Sequence, residues 1–188
     1  NQNSFGHMHR WLVHDHYRQL AECPDGIDHP FSLDREPLSL CPLDPGSLRL
    51  VEDLFGQLLP NFRSRLFNVG LDETFDLGLG RSKEECERRG REEVYLDYLL
   101  QVHKCVVGHG RQMLFWGDTI IERPDLVSPL PADITPLLWG YSPDHPFERQ
   151  CRLLADSRLD FWVCPGTSSW NSFGGRVDHA LANLWQAA

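Results

Sequence analysis

Asp72 and Glu73 stand side by side in the segment FNVGLDET, just after the short apolar run Leu66 to Gly70. Adjacent carboxylates in a closed pocket repel one another, and desolvation adds to the cost of a second negative charge. One is therefore expected to hold a proton while the other stays an anion. An acid beside an anion is suited to cleaving a glycosidic bond, where a proton must reach the leaving oxygen and positive charge grows on the sugar. Taken alone, the dipeptide reads better as a helix cap, Asp72, beside a solvated Glu73. Its surroundings reverse that reading. Three further apolar runs are followed by Trp116-Gly117-Asp118, by Trp139-Gly140-Tyr141 and by Ser168-Ser169-Trp170-Asn171, and His7 in NQNSFGH would follow a strand placed before Asn1. Aromatic faces stack on sugar rings and carboxylates handle protons, so these residues together describe a carbohydrate site.

Such a site needs a scaffold that gathers the ends of several strands. The runs Leu66 to Gly70, Gln112 to Trp116, Ile134 to Trp139 and Asp160 to Cys164 are short and nearly continuous in hydrophobicity, as strands covered on both faces are. Between them lie segments of helical spacing. Asp44-Pro45-Gly46-Ser47 opens one with Leu48, Val51, Leu54 and Leu58, ended by Pro60, and a long charged helix is expected from about Lys83 to Val107, stopped by Gly108 and Gly110. Met8 to Leu20, Phe147 to Leu159 and Val177 to Trp185 are further helix candidates. Residues 23–44 are rich in Pro, Asp and Ser and are expected to be a loop excursion. Alternation of strand and helix implies an α/β fold of parallel β/α units, of which about five are present where a closed (β/α)8 barrel has eight. The expectation is one partial barrel domain over residues 1–188, covering roughly its middle and later units.

Composition narrows the function classes. With 41% hydrophobic and 24% charged residues the chain is an ordinary globular sequence, and its formal charge of −9 lacks the basic face that phosphate recognition needs. No apolar run nears the ~20 residues of a bilayer span. Neither a nucleic acid nor a membrane is expected as a partner, and no compartment is assigned. The chain opens at Asn1 rather than at Met, in what reads as a loop after a strand, as expected of a piece of a longer protein. Its six cysteines are scattered without a CxxC pair, so most are expected to be reduced and packed as small hydrophobes. His7, His9, His14 and His16 cluster near Asp15, yet their spacing makes no His-x3-His face, and a polar helix surface is expected rather than a metal site. No cofactor is called for.

The stretch LCPLDPGSLRLVEDLFGQLLPNFRSRLFNVGLDET resembles the segment of family 20 glycoside hydrolases, the β-N-acetylhexosaminidases, in which a Cys-Pro loop and a helix lead to a strand ending in Gly-Gly-Asp-Glu. Here Leu71 replaces the second glycine. NQNSFGH is similar to that family's Pro-Gly-His segment, and FWGD and LLWGY resemble its tryptophan-bearing strands. The resemblance implies a (β/α)8 barrel that removes terminal β-linked N-acetylhexosamine, with retention and with help from the substrate's own acetamido group. Glu73 would be the general acid and Asp72 would orient the 2-acetamido group. Trp116, Trp139 and Trp170 would wall the sugar pocket, Tyr141 would reach the acetamido oxygen, and His7 would support the pair or touch the sugar. Ser169 to Ser172, with Asn171 among them, stand where the family carries a tyrosine and an acid. Two other readings remain open: a carbohydrate-binding barrel without turnover, and a β-glycosidase for sugars lacking the acetamido group. An open part of a barrel would also expose strand edges, so further barrel segments or self-association are expected to cover them.

Overall fold

The computed structural model of the chain describes residues 1–166 and 174–188. The chain forms two compact units, Asn1–Phe115 and Trp116–Ala188.

In the first unit two single-turn helices, α1 (His9–Leu12) and α2 (Asp15–Arg18), are followed by α3 (Pro45–Leu58) and β1 (Leu66–Asn68). Then come α4 (Lys83–Arg89), α5 (Arg91–Gly108) and β2 (Gln112–Trp116), whose last residue begins the second unit. β1 and β2 are parallel, with Phe67 opposite Met113. The Asp44 carboxylate accepts from the Gly46 amide at 2.7 Å and Pro45 opens α3, as the sequence led one to expect. The buried face of α3 is rotated from the expected one: Leu50, Val51 and Phe55 lie inside, while Leu48, Leu54 and Leu58 are half-buried. Phe55 sets this orientation by packing edge-on against Phe67 of β1, with ring centroids 4.8 Å apart.

Two expected helices are broken. Met8 to Leu20 divides into α1 and α2 because His14 takes an extended conformation, and the Arg18 guanidinium holds the break by donating to the Val13 carbonyl at 3.1 Å. His14, Asp15 and His16 are exposed. The segment from Lys83 onward divides at Gly90, whose φ of 102° no helix accommodates.

α5 carries the core of this unit. Tyr95, Tyr98, Leu99, Val102 and Val106 are buried, and Phe5 packs on both tyrosine rings at 5.7 and 4.5 Å. A buried phenol must spend its hydroxyl on an acceptor. Tyr95 donates to the Leu71 carbonyl at 2.9 Å and Tyr98 to the Ser4 carbonyl at 3.0 Å, so one helix face fixes the two segments that carry His7 and the acidic pair.

The second unit contains α6 (Asp118–Glu122), β3 (Thr135–Gly140), α7 (Phe147–Ser157), β4 (Trp162–Pro165) and α8 (Val177–Ala187). β3 and β4 are parallel, with Leu137 opposite Trp162 and Gly140 opposite Pro165. Burial on both faces holds for the middle of β2 and most of β3; β1 and β4 are more open, and Trp162 is exposed. Asn183 of α8 is fully buried, accepts from the Gly166 amide at 3.0 Å and donates to the Ser142 carbonyl at 2.7 Å. One side chain thus ties together the loops that follow β3 and β4.

The loop beyond the acidic pair is anchored by a buried carboxylate. Glu22 Oε1 accepts from the Gly80 amide (3.1 Å), the Ser82 amide (2.9 Å) and the Ser82 hydroxyl (2.7 Å). Glu22→Ala strands these donors and is expected to cost roughly 3 kcal/mol in urea denaturation, while Glu22→Gln, which keeps an oxygen there, recovers most of it. Equal losses in the two variants would show that the acceptor is not what matters.

Candidate active site

β1 ends at Asn68, and the chain turns sharply to present the acidic pair. Gly70 (φ 75°), Leu71 (φ 74°) and Glu73 (φ 51°) lie in the left-handed region, as does His7 (φ 57°) on the neighbouring segment. For a residue with a Cβ this costs on the order of 1–2 kcal/mol, and such strain gathers where a side chain must be aimed. A web of hydrogen bonds over-determines the turn. Asn68 Oδ1 accepts from the Gly70 amide at 2.8 Å, the Ser4 hydroxyl donates to the Val69 carbonyl at 2.7 Å, and Gln2 N donates to the Asn68 carbonyl at 3.0 Å. The left-handed φ at position 71 is why a glycine suits it; Leu71 accepts the strain and is fully buried. Gly6 is required for a different reason. A Cβ there would lie 2.2 Å from the Asp72 carbonyl oxygen, so only a glycine lets the two backbones pass this closely.

His7 is the hub. Its Nε2 lies 3.2 Å from Asp72 Oδ2 and 3.1 Å from Glu73 Oε2, and the three side chains are 19%, 17% and 26% exposed. Hydrogen bonding to Asp72, then to Glu73, outweighs the opposing effect of burial and holds the imidazole well above its ordinary 6.5, at about 9. Near neutral pH His7 is a cation, sharing one N–H between two carboxylates and offsetting their repulsion. The resemblance offered His7 as a support for the pair or a sugar contact; the bridging position between both carboxylates is what the structure adds. The three donor atoms lie within 4.8 Å of one another, the one group of three or more His, Cys, Asp or Glu donors so placed among the described residues. They are close enough to share a metal ion as well as a proton; the contacts are those of a protonated imidazole.

The other sequence candidates lie in the second unit. Trp116 ends β2 half-buried. Trp139 lies near the end of β3 and Tyr141 just after it, with rings 5.5 Å apart, and with Asp118, His145 and Arg149 they line a cleft of about 690 Å³. Trp170 and Asn171 lie outside the described residues. Sequence reasoning missed Phe31, whose ring sits 4.7 Å from that of His7, and it missed the roles of Tyr95 and Tyr98. The i, i+3 spacing of the tyrosines was a readable sign of a shared face; for Phe31 the sole sign was an aromatic residue in a polar loop. All six cysteines are free thiols. Burial pushes Cys23 and Cys41 up to about 11 and Cys105 up to about 12, far from a nucleophilic thiolate at neutral pH.

Because the folded His7 binds its proton more tightly than the unfolded chain does, its contribution to stability is complete below pH 6.5 and disappears as pH rises toward about 9. Between about pH 6 and about pH 10 the wild type is expected to lose roughly 3 kcal/mol more than His7→Gln does, measured by urea denaturation. A proton NMR titration of the His7 ring should have its midpoint near 9; a midpoint near 6.5 would contradict the hydrogen-bonded geometry.

No protein-family model matches the chain, and no curated protein does. Solved structures do. A chitobiase from Flavobacterium johnsoniae superposes with a TM-score of 0.66 at 17% identity, over 88% of this chain and 25% of that one. A β-N-acetylhexosaminidase from Bacteroides fragilis gives 0.64 at 15% identity, over 85% and 30%. The N-acetyl-β-hexosaminidase of Streptomyces plicatus, solved in complex with Thio-NAglucal, gives 0.57 at 18% identity, over 87% and 29%. The chain thus spans between a quarter and a third of the length of these enzymes. At such identities the likeness speaks for the fold, and it agrees with the resemblance drawn from the Asp72-Glu73 segment: the chain has the fold of part of a family 20 glycoside hydrolase (β/α)8 barrel.

Proposed function

We propose that the chain carries the catalytic carboxylates of a glycoside hydrolase that releases terminal β-linked N-acetylhexosamine with retention, the substrate's acetamido group acting as the nucleophile. The observation that carries this reading is the His7 imidazole shared by two adjacent, partly exposed carboxylates just past a parallel strand. The fold of solved β-N-acetylhexosaminidases supports it.

The geometry suits a division of roles. Glu73 protonates the glycosidic oxygen as the bond breaks and later takes a proton from the attacking water. Asp72 faces the acetamido N–H, orients the carbonyl oxygen toward the anomeric carbon and stabilises the positive charge that spreads over the ring so formed. His7 serves both states: with Glu73 protonated its N–H is left to Asp72, and once Glu73 has given up its proton the cation is shared again. Because the strained backbone holds the three groups before substrate arrives, little reorganisation is left for the chemical step. Trp116, Trp139, Tyr141, Trp170 and Asn171 are proposed as further sugar contacts.

Glu73→Gln in the intact protein is expected to lower kcat on an aryl 2-acetamido-2-deoxy-β-glucoside by about 10²- to 10⁴-fold while sugar binding persists. Asp72→Asn is expected to lower turnover of the same substrate as well, and the corresponding aryl β-glucoside without the acetamido group should not be cleaved at a comparable rate. Unchanged turnover in Glu73→Gln would remove the assignment. Equal rates on the two sugars would replace the substrate-assisted mechanism with one that needs an enzyme nucleophile.

A further inference from the structure

α8 buries one side chain completely, and it is polar. Val177, Leu181, Leu184 and Trp185 are exposed along the helix, whereas Asn183 is 0% exposed. Packing alone favours an apolar residue at such a position, since a buried amide needs partners to offset the loss of water. Asn183 finds them in the loops that follow β3 and β4, and they bracket one residue. Its Nδ2 donates to the Ser142 carbonyl at 2.7 Å, its Oδ1 accepts from the Gly166 amide at 3.0 Å, and the same amide donates to the Gly140 carbonyl at 3.0 Å. The carbonyls on both sides of Tyr141 are therefore fixed by Asn183 and by the amide that Asn183 holds. The Tyr141 side chain is fixed from the same place. A Cβ on Gly166 would lie 2.0 Å from Tyr141 Cδ1 and 2.2 Å from Cε1, so the ring rests on the glycine backbone. Gly166 has no left-handed φ, so it is the ring and not the local backbone that bars a side chain there. Trp139 meets the ring too, with centroids 5.5 Å apart.

We propose that Asn183 is a positioning residue for substrate binding: it sets the backbone that bears Tyr141 and, through Gly166, the surface on which the Tyr141 ring lies. This rests on the glycosidase reading above, in which Tyr141 contacts the N-acetylhexosamine. Asn183 itself meets no sugar, for it is wholly buried and does not line the cleft that Trp139 and Tyr141 share. A side chain that the sugar must first order loses part of the binding energy to its own immobilisation; one already seated does not. α8 thus acts on the cleft without touching its contents, by way of two loops. An amide suits this task because it donates and accepts at once. A leucine of similar size would hold neither loop, and an aspartate would keep only the contact with the Gly166 amide.

The test is a set of double-mutant cycles in the intact protein, read as kcat/KM on an aryl 2-acetamido-2-deoxy-β-glucoside. Asn183→Leu frees the seat of the ring and Gly166→Ala fills it. Each is expected to lower kcat/KM about tenfold with Tyr141 present, and to change it less than about twofold once Tyr141→Ala has removed the ring. Asn183→Asp, which keeps the acceptor for Gly166, is expected to show the same dependence on Tyr141 at about threefold, and decides the matter if Asn183→Leu does not fold. Losses of equal size with and without the Tyr141 ring, whatever the change in Tm, would reduce Asn183 to a structural residue and overturn the proposal, as would unchanged kcat/KM in the Asn183 variants. A wild type that cleaves no such glycoside would overturn the glycosidase reading and this role with it. A wild type that cleaves it, with losses indifferent to Tyr141, would remove this role alone.

Discussion

A buried phenol cannot leave its hydroxyl unsatisfied, and on α5 this requirement is met twice by backbone oxygens of the segments that bear the site. Tyr95 takes the carbonyl of Leu71 and Tyr98 that of Ser4, while Phe5 fills the space against both rings. Hydrophobic burial and hydrogen-bond satisfaction therefore act on the same atoms. The turn after β1 can hold consecutive left-handed residues because its carbonyls and amides are fixed by partners outside the turn. Removing water from the helix face is thus coupled to placing His7, Asp72 and Glu73 within one hydrogen-bond radius.

Electrostatics completes what packing begins. Two neighbouring carboxylates on a strained turn would push apart; the imidazolium between them turns that repulsion into attraction through one shared proton. The close passage of Gly6 over the Asp72 carbonyl lets the imidazole approach this far, which makes a glycine and a histidine in sequence as necessary to the site as the acids. Outside this centre, Glu22 performs a similar service for the following loop with a carboxylate that is wholly buried and meets backbone donors.

Much of this was legible in the sequence, though unevenly. Strand positions were readable because parallel strands leave short apolar runs, and β2 and β3 fall where those runs lie. The capped start of α3 was readable from Asp44-Pro45, but its buried face was not, since the choice between Leu54 and Phe55 is made by Phe67 some residues away. The breaks at His14 and Gly90 escaped because helical spacing survives on either side of a single non-helical residue. In the site, Asp72 and Glu73 were found through their position at a strand end. The bridging geometry of His7 and the nearness of Phe31 depend on contacts between segments some 65 and 24 residues apart in the chain, which no local pattern encodes.

The role proposed for His7, Asp72 and Glu73 is that of a proton donor beside an anion that steers an acetamido group. Calorimetric titration of the intact protein with a thiazoline derived from N-acetylglucosamine, which mimics the cyclised acetamido intermediate, bears on that claim most directly. Expected is saturable one-site binding that is weakened at least about tenfold by Asp72→Asn, a loss of about 1.4 kcal/mol or more. Absence of binding, or binding indifferent to Asp72, would contradict it.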